Sequence, residues 1–536
     1  MKKRVLCSLL AAIMIVGLFA GCGGNGGNGG SEEVDIDLSA LEGLEYPLAS
    51  KEPLTLTAHY PKFVGEVVET GKLKGEKTVY AVAAERTNIH LETTVGKDQD
   101  GAQAFNLMLL EDRIPDIVYG SLSNLNAAGY TEGVLVDLKP YVTNPDIMPN
   151  LSKIYKEHPE YLAAVTAPDG GVYICAKLRE EGPTQAWFTR QDWMDKLGLE
   201  HPKTYEEFVA VMDAFRNQDP NGNGKKDEVP WIGTIDPLFY FFGMNGYKTW
   251  DIDENDNMYS PVITENYKTA LKTIADWYKK GYIDQEVFTR SNPRGELWGS
   301  DTGGMLFNWF SSTMSYNTQI KNVPGFHVSV MMPPANQDGK AYCHSPGALV
   351  DGTGWGISKD NEHLAETLRY FDFWYSDEGS CLNAMGIEGR DWLPDENGEP
   401  KYTDFATNYE GGAPQFVRDI GCIGIGYYMR QKWLLSGMTE EAKQGNMDYI
   451  AADFTSKLVP KYSFTDEEQN VIDEKWTACD TYLSEFKQKA IMGLIDVDKE
   501  WDGYVAQLKK LGIDDCQKAH NAAYHRYMDL LASLGK

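Results

Sequence analysis

Side chains that carry oxygen atoms alternate along one short acidic turn of the sequence. They belong to Asp219, Asn221, Asn223 and Asp227, and Gly224 stands where an EF-hand loop turns sharply. A hard cation such as Ca²⁺ takes about six to eight oxygen ligands, and this alternation directs the side chains of the turn inward. The spacing therefore predicts a calcium site. We expect the ion to be structural, because a saturated cage of oxygens leaves no coordination position for chemistry.

The remaining ligands of this predicted site depart from the usual pattern. Lys225 would contribute its backbone carbonyl, but the last position of the loop, which is normally a glutamate, is Pro230. Glu228 directly follows Asp227 and is the substitute carboxylate that we expect, which shortens the loop. A solvated, glycine-rich turn between a helix and a strand is the alternative interpretation.

Patterns typical of catalysis are weak in this chain. There is no HExxH metal motif and no GxSxG nucleophile motif, and the nine histidines are scattered. The 79 acidic residues make chance pairs of carboxylates common, so a secreted carbohydrate-active enzyme stays open as an alternative. A surface adhesion module is a further alternative. We expect no catalytic residues and no enzymatic activity.

Length and charge restrict the possible partners. A chain of 536 residues exceeds what one hydrophobic core usually supports, which favours two lobes of roughly 150–250 residues each. The formal net charge is −29, so this surface would repel nucleic acids and anionic lipids. Nucleic acid is therefore excluded as a partner, and any membrane attachment has to be covalent.

The first residues supply such an attachment. Three basic residues precede an apolar run over residues 5–20, which is short for a membrane-spanning helix. Small residues then lead to Cys22, a sequence that resembles a bacterial lipobox. We expect residues 1–21 to be a lipoprotein signal peptide, Cys22 to be lipidated and residues 22–47 to form a glycine-rich tether. The mature chain would then be held at the extracellular face of the cytoplasmic membrane. Ordinary secretion is the alternative.

Strand and helix patterns alternate after the tether, at residues 54–59, 79–87, 90–94, 102–111 and 116–119. This β-α-β-α-β order predicts a parallel sheet flanked by helices, and hence an α/β fold. Ligands of such sheets bind beyond the carboxyl ends of the strands. Tyr119 ends the third strand pattern, so residues 119–124 are predicted to line a cleft.

Six cysteines follow the leader, at positions 175, 343, 381, 422, 479 and 516. None has the CxxC spacing or the neighbouring histidines of a zinc site. A large extracellular domain does not need disulfides to hold its core. We therefore expect buried free thiols, and a single disulfide bridge is the alternative.

Several short stretches together resemble extracellular solute-binding protein family 1 of ABC importers, in its large oligosaccharide-binding lipoprotein branch, which includes alginate-oligosaccharide binders. They are Arg190 with Asp192-Trp193 and Lys196-Leu197-Gly198, Pro202 with Thr204, the acidic turn 219–228, Tyr375-Ser376 with Glu378-Gly379, Gly386-Ile387-Glu388-Gly389 with Trp392, Trp501 with Tyr504, Leu508 and Gly512, and Ala523-Tyr524 with Arg526-Tyr527. The resemblance covers roughly residues 50 to 535.

The resemblance implies a two-lobed periplasmic-binding-protein-like type II fold with a hinge and an extended helical C-terminal region. On this basis lobe 1 comprises residues 48–180 and 335–385, and lobe 2 comprises residues 181–334 and 386–536 with the calcium loop. It further implies a monomer that binds an oligosaccharide between the lobes and delivers it to the transmembrane subunits of an ABC permease.

An oligosaccharide site needs flat aromatic rings for the C–H faces of sugars and amide or carboxylate groups for their hydroxyls. Trp309 ends a buried strand beside Asn308, where related maltose-type binders place a stacking tryptophan, so both are candidate ligand contacts. By contrast, Trp193, Trp277 and Trp374 lie on helix faces and are expected to pack in the core.

Further candidate ligand contacts come from four other stretches. Trp392 and Glu388 follow a turn near the expected hinge, and Trp187 follows the first passage between the lobes. Trp355 lies in a glycine-rich strand, where the backbone can approach a ligand closely, and Tyr119 lies in the predicted cleft.

Overall fold

Two mixed β-sheets organise the protein, as a computed structural model shows. The structure describes residues 36–60, 77–95, 101–244, 249–342, 349–396, 398–410, 412–421, 426–452 and 459–536, and residues 36–536 belong to one compact unit. Cys22, the predicted leader and most of the tether lie outside the described residues, as do Cys343 and Cys422.

The strands are, in chain order, β1 (Leu54–Tyr60), β2 (Ile89–Val95), β3 (Ile117–Ser121), β4 (Cys175–Arg179), β5 (Gln185–Arg190), β6 (Val229–Trp231), β7 (Asp251–Ile252), β8 (Met258–Tyr259), β9 (Gly303–Trp309), β10 (Val328–Met331), β11 (Val350–Ile357), β12 (Trp392–Pro394), β13 (Pro400–Tyr402) and β14 (Tyr428–Met429). The first sheet has the order β14-β4-β11-β3-β1-β2 and the second β10-β5-β9-β6. Two hairpins, β7–β8 and β12–β13, stand apart.

The α-helices are α1 (Val79–Thr87), α2 (Gly101–Met108), α3 (Leu122–Asn126), α4 (Lys139–Val142), α5 (Pro149–Glu157), α6 (Pro159–Val165), α7 (Gln191–Leu197), α8 (Tyr205–Asn217), α9 (Glu265–Lys279), α10 (Phe310–Met314), α11 (Tyr316–Gln319), α12 (Leu364–Tyr375), α13 (Asp377–Met385), α14 (Asp404–Thr407), α15 (Gly412–Asp419), α16 (Gln431–Ser436), α17 (Glu440–Ala451), α18 (Asp466–Ile491), α19 (Val497–Leu511) and α20 (Ile513–Ser533). Short 3-10 and π-helical turns occupy Leu38–Leu41, Ala127–Thr131, Asp236–Phe242, Pro261–Ile263 and Arg294–Trp298.

The first sheet contains the predicted β-α-β-α-β run. β1 pairs in parallel with both β2 and β3, with Leu54 opposite Ile89 and Ala58 opposite Ile117. Leu56, Ala58 and Tyr60 alternate along β1 and are fully buried, because helices cover the sheet. The predicted parallel sheet is therefore confirmed.

The second sheet is built around β9, which lies between β5 and β6. Trp187 on β5 is opposite Phe307, and Trp231 on β6 is opposite Met305. The ring of Trp187 packs against Phe208, Trp231, Phe241 and Phe307, with ring centroids 5.2–6.1 Å apart. These aromatic contacts form the core that supports β9.

The C-terminal helices form the predicted extended helical region. Thr465 and Glu468 form a reciprocal capping box that starts α18. α18 packs on α9, whose Trp277 contacts Phe208 in the aromatic core of the second sheet. α20 packs on α6, which contacts β11 of the first sheet. The region therefore contacts both lobes.

One strand from the segment predicted to belong to lobe 2 pairs with the first sheet. β14 lies at the edge of the first sheet beside β4, with Tyr428 opposite Leu178, although residues 386–536 were assigned to lobe 2. Arg390 also donates a hydrogen bond to the carbonyl of Lys77 in the first lobe. A strand of two residues carries no periodic pattern, so this passage back to the first sheet was not visible in the sequence.

Helix length and polarity determine whether a helix can cross a membrane. Within the described part of the chain, no helix is both long and apolar enough to cross a bilayer.

Candidate functional site

Three strand ends meet at one edge of the first sheet. Thr353 of β11 lies opposite Ser121, the last residue of β3. Val350, the first residue of β11, lies opposite Leu178 near the end of β4. The carboxyl ends of β3 and β4 and the start of β11 are therefore neighbours, which is where ligands bind in α/β sheets.

The second sheet presents a matching edge. Gln185 starts β5 and lies opposite Trp309, the last residue of β9. Because only residues 180–184 separate Arg179 of β4 from Gln185, this short link joins the two edges. The space beside it is the candidate cleft.

Trp309 is exposed at this edge. Its side chain is 48% exposed, whereas Phe307, two residues earlier on β9, is only 3% exposed. Asn308 is half-buried, and its Oδ1 accepts a hydrogen bond of 2.8 Å from the backbone N–H of Trp309. A tryptophan ring that keeps a free face at a strand end can stack on a flat, apolar ligand surface.

A cavity of ≈ 350 Å³ lies beyond the carboxyl end of β3. Its lining includes Ser121 and Ser123 from the predicted 119–124 stretch, together with Asn126. Asn126 is 4% exposed, and its Oδ1 has no hydrogen-bond partner within the described structure. Hydroxyl and amide groups around an open cavity suit a ligand rich in hydroxyls.

Tyr119 lies on β3, two residues before Ser121, which lines this cavity. It is half-buried, and its ring stacks on Tyr60 with centroids 5.5 Å apart. Burial raises the pKa of Tyr119, so its hydroxyl stays protonated at neutral pH. Tyr119 therefore remains a candidate hydrogen-bond partner for a ligand.

The structure places Trp187 and Trp355 in the core instead of the cleft. They are 1% and 0% exposed, and Trp355 packs against Tyr370, Phe371 and Trp374. A ring without a free face cannot stack on a ligand, so the expectation for these two residues is corrected to a packing role.

Trp392 and Glu388 belong to the β12–β13 hairpin region. Trp392 is half-buried, its Nε1 donates to the carbonyl of Gly386 at 3.1 Å, and Glu388 is exposed. The hairpin packs on α14 and α16. Both residues stay predictions as ligand contacts, since their described contacts serve the hairpin.

The acidic turn joins α8 to β6 and folds around its own side chains. Asp219 accepts hydrogen bonds from the backbone N–H groups of Asn223 and Gly224, each at 3.0 Å. The amides of Asn221 and Asn223 donate to Asp227 at 3.1–3.2 Å. Four of the predicted ligand side chains therefore converge within one turn.

Glu228 is the unusual member of the turn. It is fully buried, and neither carboxylate oxygen has a hydrogen-bond partner within the described structure. Burial, followed by the charges of Asp227 and Asp219, raises the pKa of Glu228. An uncompensated buried carboxylate is costly, and a bound cation removes that cost. The donor set therefore fits a hard cation, although the described residues contain no ready-made cluster of three or more His, Cys, Asp or Glu ligands.

Comparison with known families decides what kind of protein carries this cleft. A family model described as bacterial extracellular solute-binding protein matches residues 71–380, more than half of the chain. The chain belongs to this family. Solute-binding proteins of this kind are two-lobed α/β proteins, in agreement with the two sheets and the predicted type II fold.

Relatives of this solute-binding protein are named for carbohydrate ligands. It is 27% identical over 525 residues to the fructooligosaccharide ABC transporter substrate-binding protein FusA of Streptococcus pneumoniae, covering 91% of this chain and 93% of FusA. The crystal structure of the alginate-binding protein AlgQ2 without calcium ion superposes with a TM-score of 0.74 at 27% identity, over 90% of this chain and 100% of AlgQ2. An EF-hand mutant of FusA in complex with fructo-nystose shares the fold, with a TM-score of 0.69, 24% identity and coverage of 89% and 100%.

Part of the cavity wall of this solute-binding protein was not predicted from the sequence. Tyr462, Ser463 and Phe464 line the cavity beside Asn126, whose Nδ2 donates to Ser463 Oγ at 2.9 Å. The only available signal was the alternation of aromatic and polar residues just before the Thr465 cap.

Cysteine chemistry plays no part in the described site. Cys175, Cys381, Cys479 and Cys516 are free thiols, as expected for four of the six positions. Burial raises the pKa of Cys175 and of Cys381, which keeps both thiols protonated and unreactive.

Proposed function

We propose that this protein binds an oligosaccharide in the cleft between its two sheets and delivers it to an ABC permease. The observation that carries the proposal is the exposed ring of Trp309 at the carboxyl end of β9, in a chain that also has a hydroxyl- and amide-lined cavity beyond the carboxyl end of β3. The fructooligosaccharide named for FusA and the alginate named for AlgQ2 support it.

Lobe closure gives this arrangement its function. A sugar that stacks on Trp309 from one lobe would meet the hydroxyl and amide groups of Ser121, Ser123 and Asn126 from the other. Each buried polar contact that is satisfied favours the closed form, because an unsatisfied polar group is costly. Ligand binding would therefore stabilise closure, and the protein acts by binding and release without a catalytic step.

The proposal predicts a loss of affinity when Trp309 is replaced by alanine. A stacked ring contributes about 0.5–1.5 kcal/mol beyond its buried area. With the lost area, Trp309→Ala should weaken binding at least about tenfold, or 1.4 kcal/mol. Isothermal titration calorimetry with fructo-oligosaccharide and alginate-oligosaccharide probes measures this change in affinity.

Trp277→Ala is the matched control, since Trp277 is 2% exposed and packs against Tyr205, Phe208 and Phe241. It should lower stability with little direct effect on affinity. Equal affinities of Trp309→Ala and the parent protein would remove Trp309 from the site.

A structural calcium ion belongs to the proposal. Asp219, Asn221, Asn223, Asp227 and Glu228, with the Lys225 carbonyl, would hold it, as the donor types and the unpartnered Glu228 carboxylate support. The turn leads directly into β6, which pairs with β9. A bound ion would therefore stabilise the sheet that carries Trp309.

Lipid anchoring at Cys22 places the receptor at the extracellular face of the membrane. Replacing Cys22 by alanine should abolish lipid labelling and leave the protein unprocessed or released into the medium, because the thioether anchor is lost. Metabolic labelling with a fatty acid and membrane fractionation measure this. A Cys22→Ala protein that keeps its label and its membrane retention would contradict the anchor.

A further inference from the structure

Arg294 lies beside the candidate cleft and opens the π-helical turn that precedes β9. Its Nη1 donates to Ser312 Oγ at 3.0 Å and to Thr313 Oγ1 at 3.1 Å. Both hydroxyls belong to α10, which begins directly after Trp309. Arg294 is therefore fixed at the end of the sheet where Trp309 is exposed.

The rest of the Arg294 guanidinium is available to a ligand. Nε and Nη2 form no hydrogen bond within the described structure, and neither is a fully buried atom. The ring of Tyr316 lies 5.2 Å from the guanidinium carbon and supports one face. Burial lowers the pKa of Arg294, and no described carboxylate lies close enough to offset this.

Within the described residues, Arg179, Arg216 and Arg369 are also partly buried without an ion pair, whereas four further arginines are paired with carboxylates. The pairs are Arg190–Asp192, Arg290–Asp284, Arg390–Asp391 and Arg526–Glu468, at 2.5–2.6 Å. The missing acid therefore does not single out Arg294, but its position does, because it is held next to the exposed Trp309 by Ser312 and Thr313. A guanidinium matches a carboxylate with two parallel hydrogen bonds, which gives both strength and orientation.

We propose that Arg294 binds a carboxylate of the ligand, so that the ligand is an acidic oligosaccharide built from uronic acid residues. The hydroxyls of Ser312 and Thr313 hold the guanidinium in place, and Trp309 stacks on a ring of the same oligosaccharide. This inference rests on the proposed function and specifies its substrate class.

Matched probes test the carboxylate directly. Oligogalacturonides and alginate oligosaccharides are compared with their carboxyl-reduced, neutral counterparts and with neutral fructo-oligosaccharides, by calorimetry on the purified mature chain. We expect at least one acidic probe to bind about tenfold or more tightly than its reduced counterpart, as suits a bidentate ion pair. Arg294→Gln should abolish that preference, and Arg294→Lys should restore part of it, because it keeps the charge without the planar fork.

Arg418→Gln is the matched control. Arg418 is exposed on α15 and donates to Gln415, away from β9, so this variant should keep the full preference. An Arg294→Gln protein that still prefers the acidic probe tenfold would overturn the proposal. Binding of neutral probes alone would also overturn the proposal, but it would not contradict the proposed function. Binding of no probe, acidic or neutral, would count against both. Melting temperatures show whether each variant is folded. If Arg294→Gln does not fold, the preference of Arg294→Lys for the acidic probe decides whether Arg294 binds the carboxylate.

Discussion

Replacing Trp187 by alanine is expected to lower the free energy of unfolding by about 3–5 kcal/mol, because it removes a large ring from the core of the second sheet. The ring of Trp187 is 1% exposed and touches Phe208, Trp231, Phe241 and Phe307. None of these neighbours can fill the cavity without leaving its own place. Urea denaturation followed by tryptophan fluorescence measures the change.

Trp309→Ala is the matched control for this experiment, since it makes the same chemical change on the same sheet. Trp309 is 48% exposed, so its replacement should change the free energy of unfolding by less than about 0.5–1 kcal/mol. A Trp187→Ala protein as stable as the Trp309→Ala protein would mean that Trp187 is not a core residue.

Calcium is expected to raise the free energy of unfolding by about 2.7 kcal/mol when the free ion exceeds its dissociation constant a hundredfold. Glu228→Gln should lose most of this gain, because a charged ligand is lost. In chelator the same variant should be at least as stable as the parent, since the buried, unpartnered carboxylate is gone. Thermal melts with calcium and with chelator measure both effects.

The pH dependence of the calcium-free protein follows from the raised pKa of Glu228. The folded state keeps its proton to a higher pH than the unfolded chain does. Stability contributed by this group is therefore present below the unfolded pKa and is lost as pH rises through the folded pKa. Calcium needs the ionised carboxylate, so its stabilising effect should grow over the same range.

Glu254→Gln is the control for the calcium experiment. Glu254 is exposed in the β7–β8 turn, outside the acidic turn, and its replacement should leave the calcium response unchanged. A melting temperature of the parent protein that chelator does not move, with no metal in the purified protein, would contradict the calcium site.

Local patterns predicted the elements that depend on neighbouring residues. The alternation of strand and helix patterns before Tyr119 was sufficient for the parallel half of the first sheet. The exposure of Trp309 also follows from its place at the end of β9. Such features are set by short-range chemistry that a sequence displays directly.

These local patterns could not predict contacts between residues that are far apart in the sequence. Both faces of a covered sheet are buried, so strand alternation could not show that Trp187 and Trp355 pack inward. Arg294 drew no attention in the sequence, because an arginine without an acid becomes visible only when all its neighbours are placed. The same holds for the cavity that Phe464 shares with Asn126.

Equilibrium titration of the purified mature chain with oligosaccharides, followed by chromatography of the recovered sugar, tests the central claim most directly. The cleft between β3 and β9 should take up one oligosaccharide per chain and return it unchanged, with a heat of binding that Trp309→Ala reduces. Shorter sugars that accumulate with time would show catalysis instead. That result, or the absence of any stoichiometric binding, would contradict a receptor that works by binding and release.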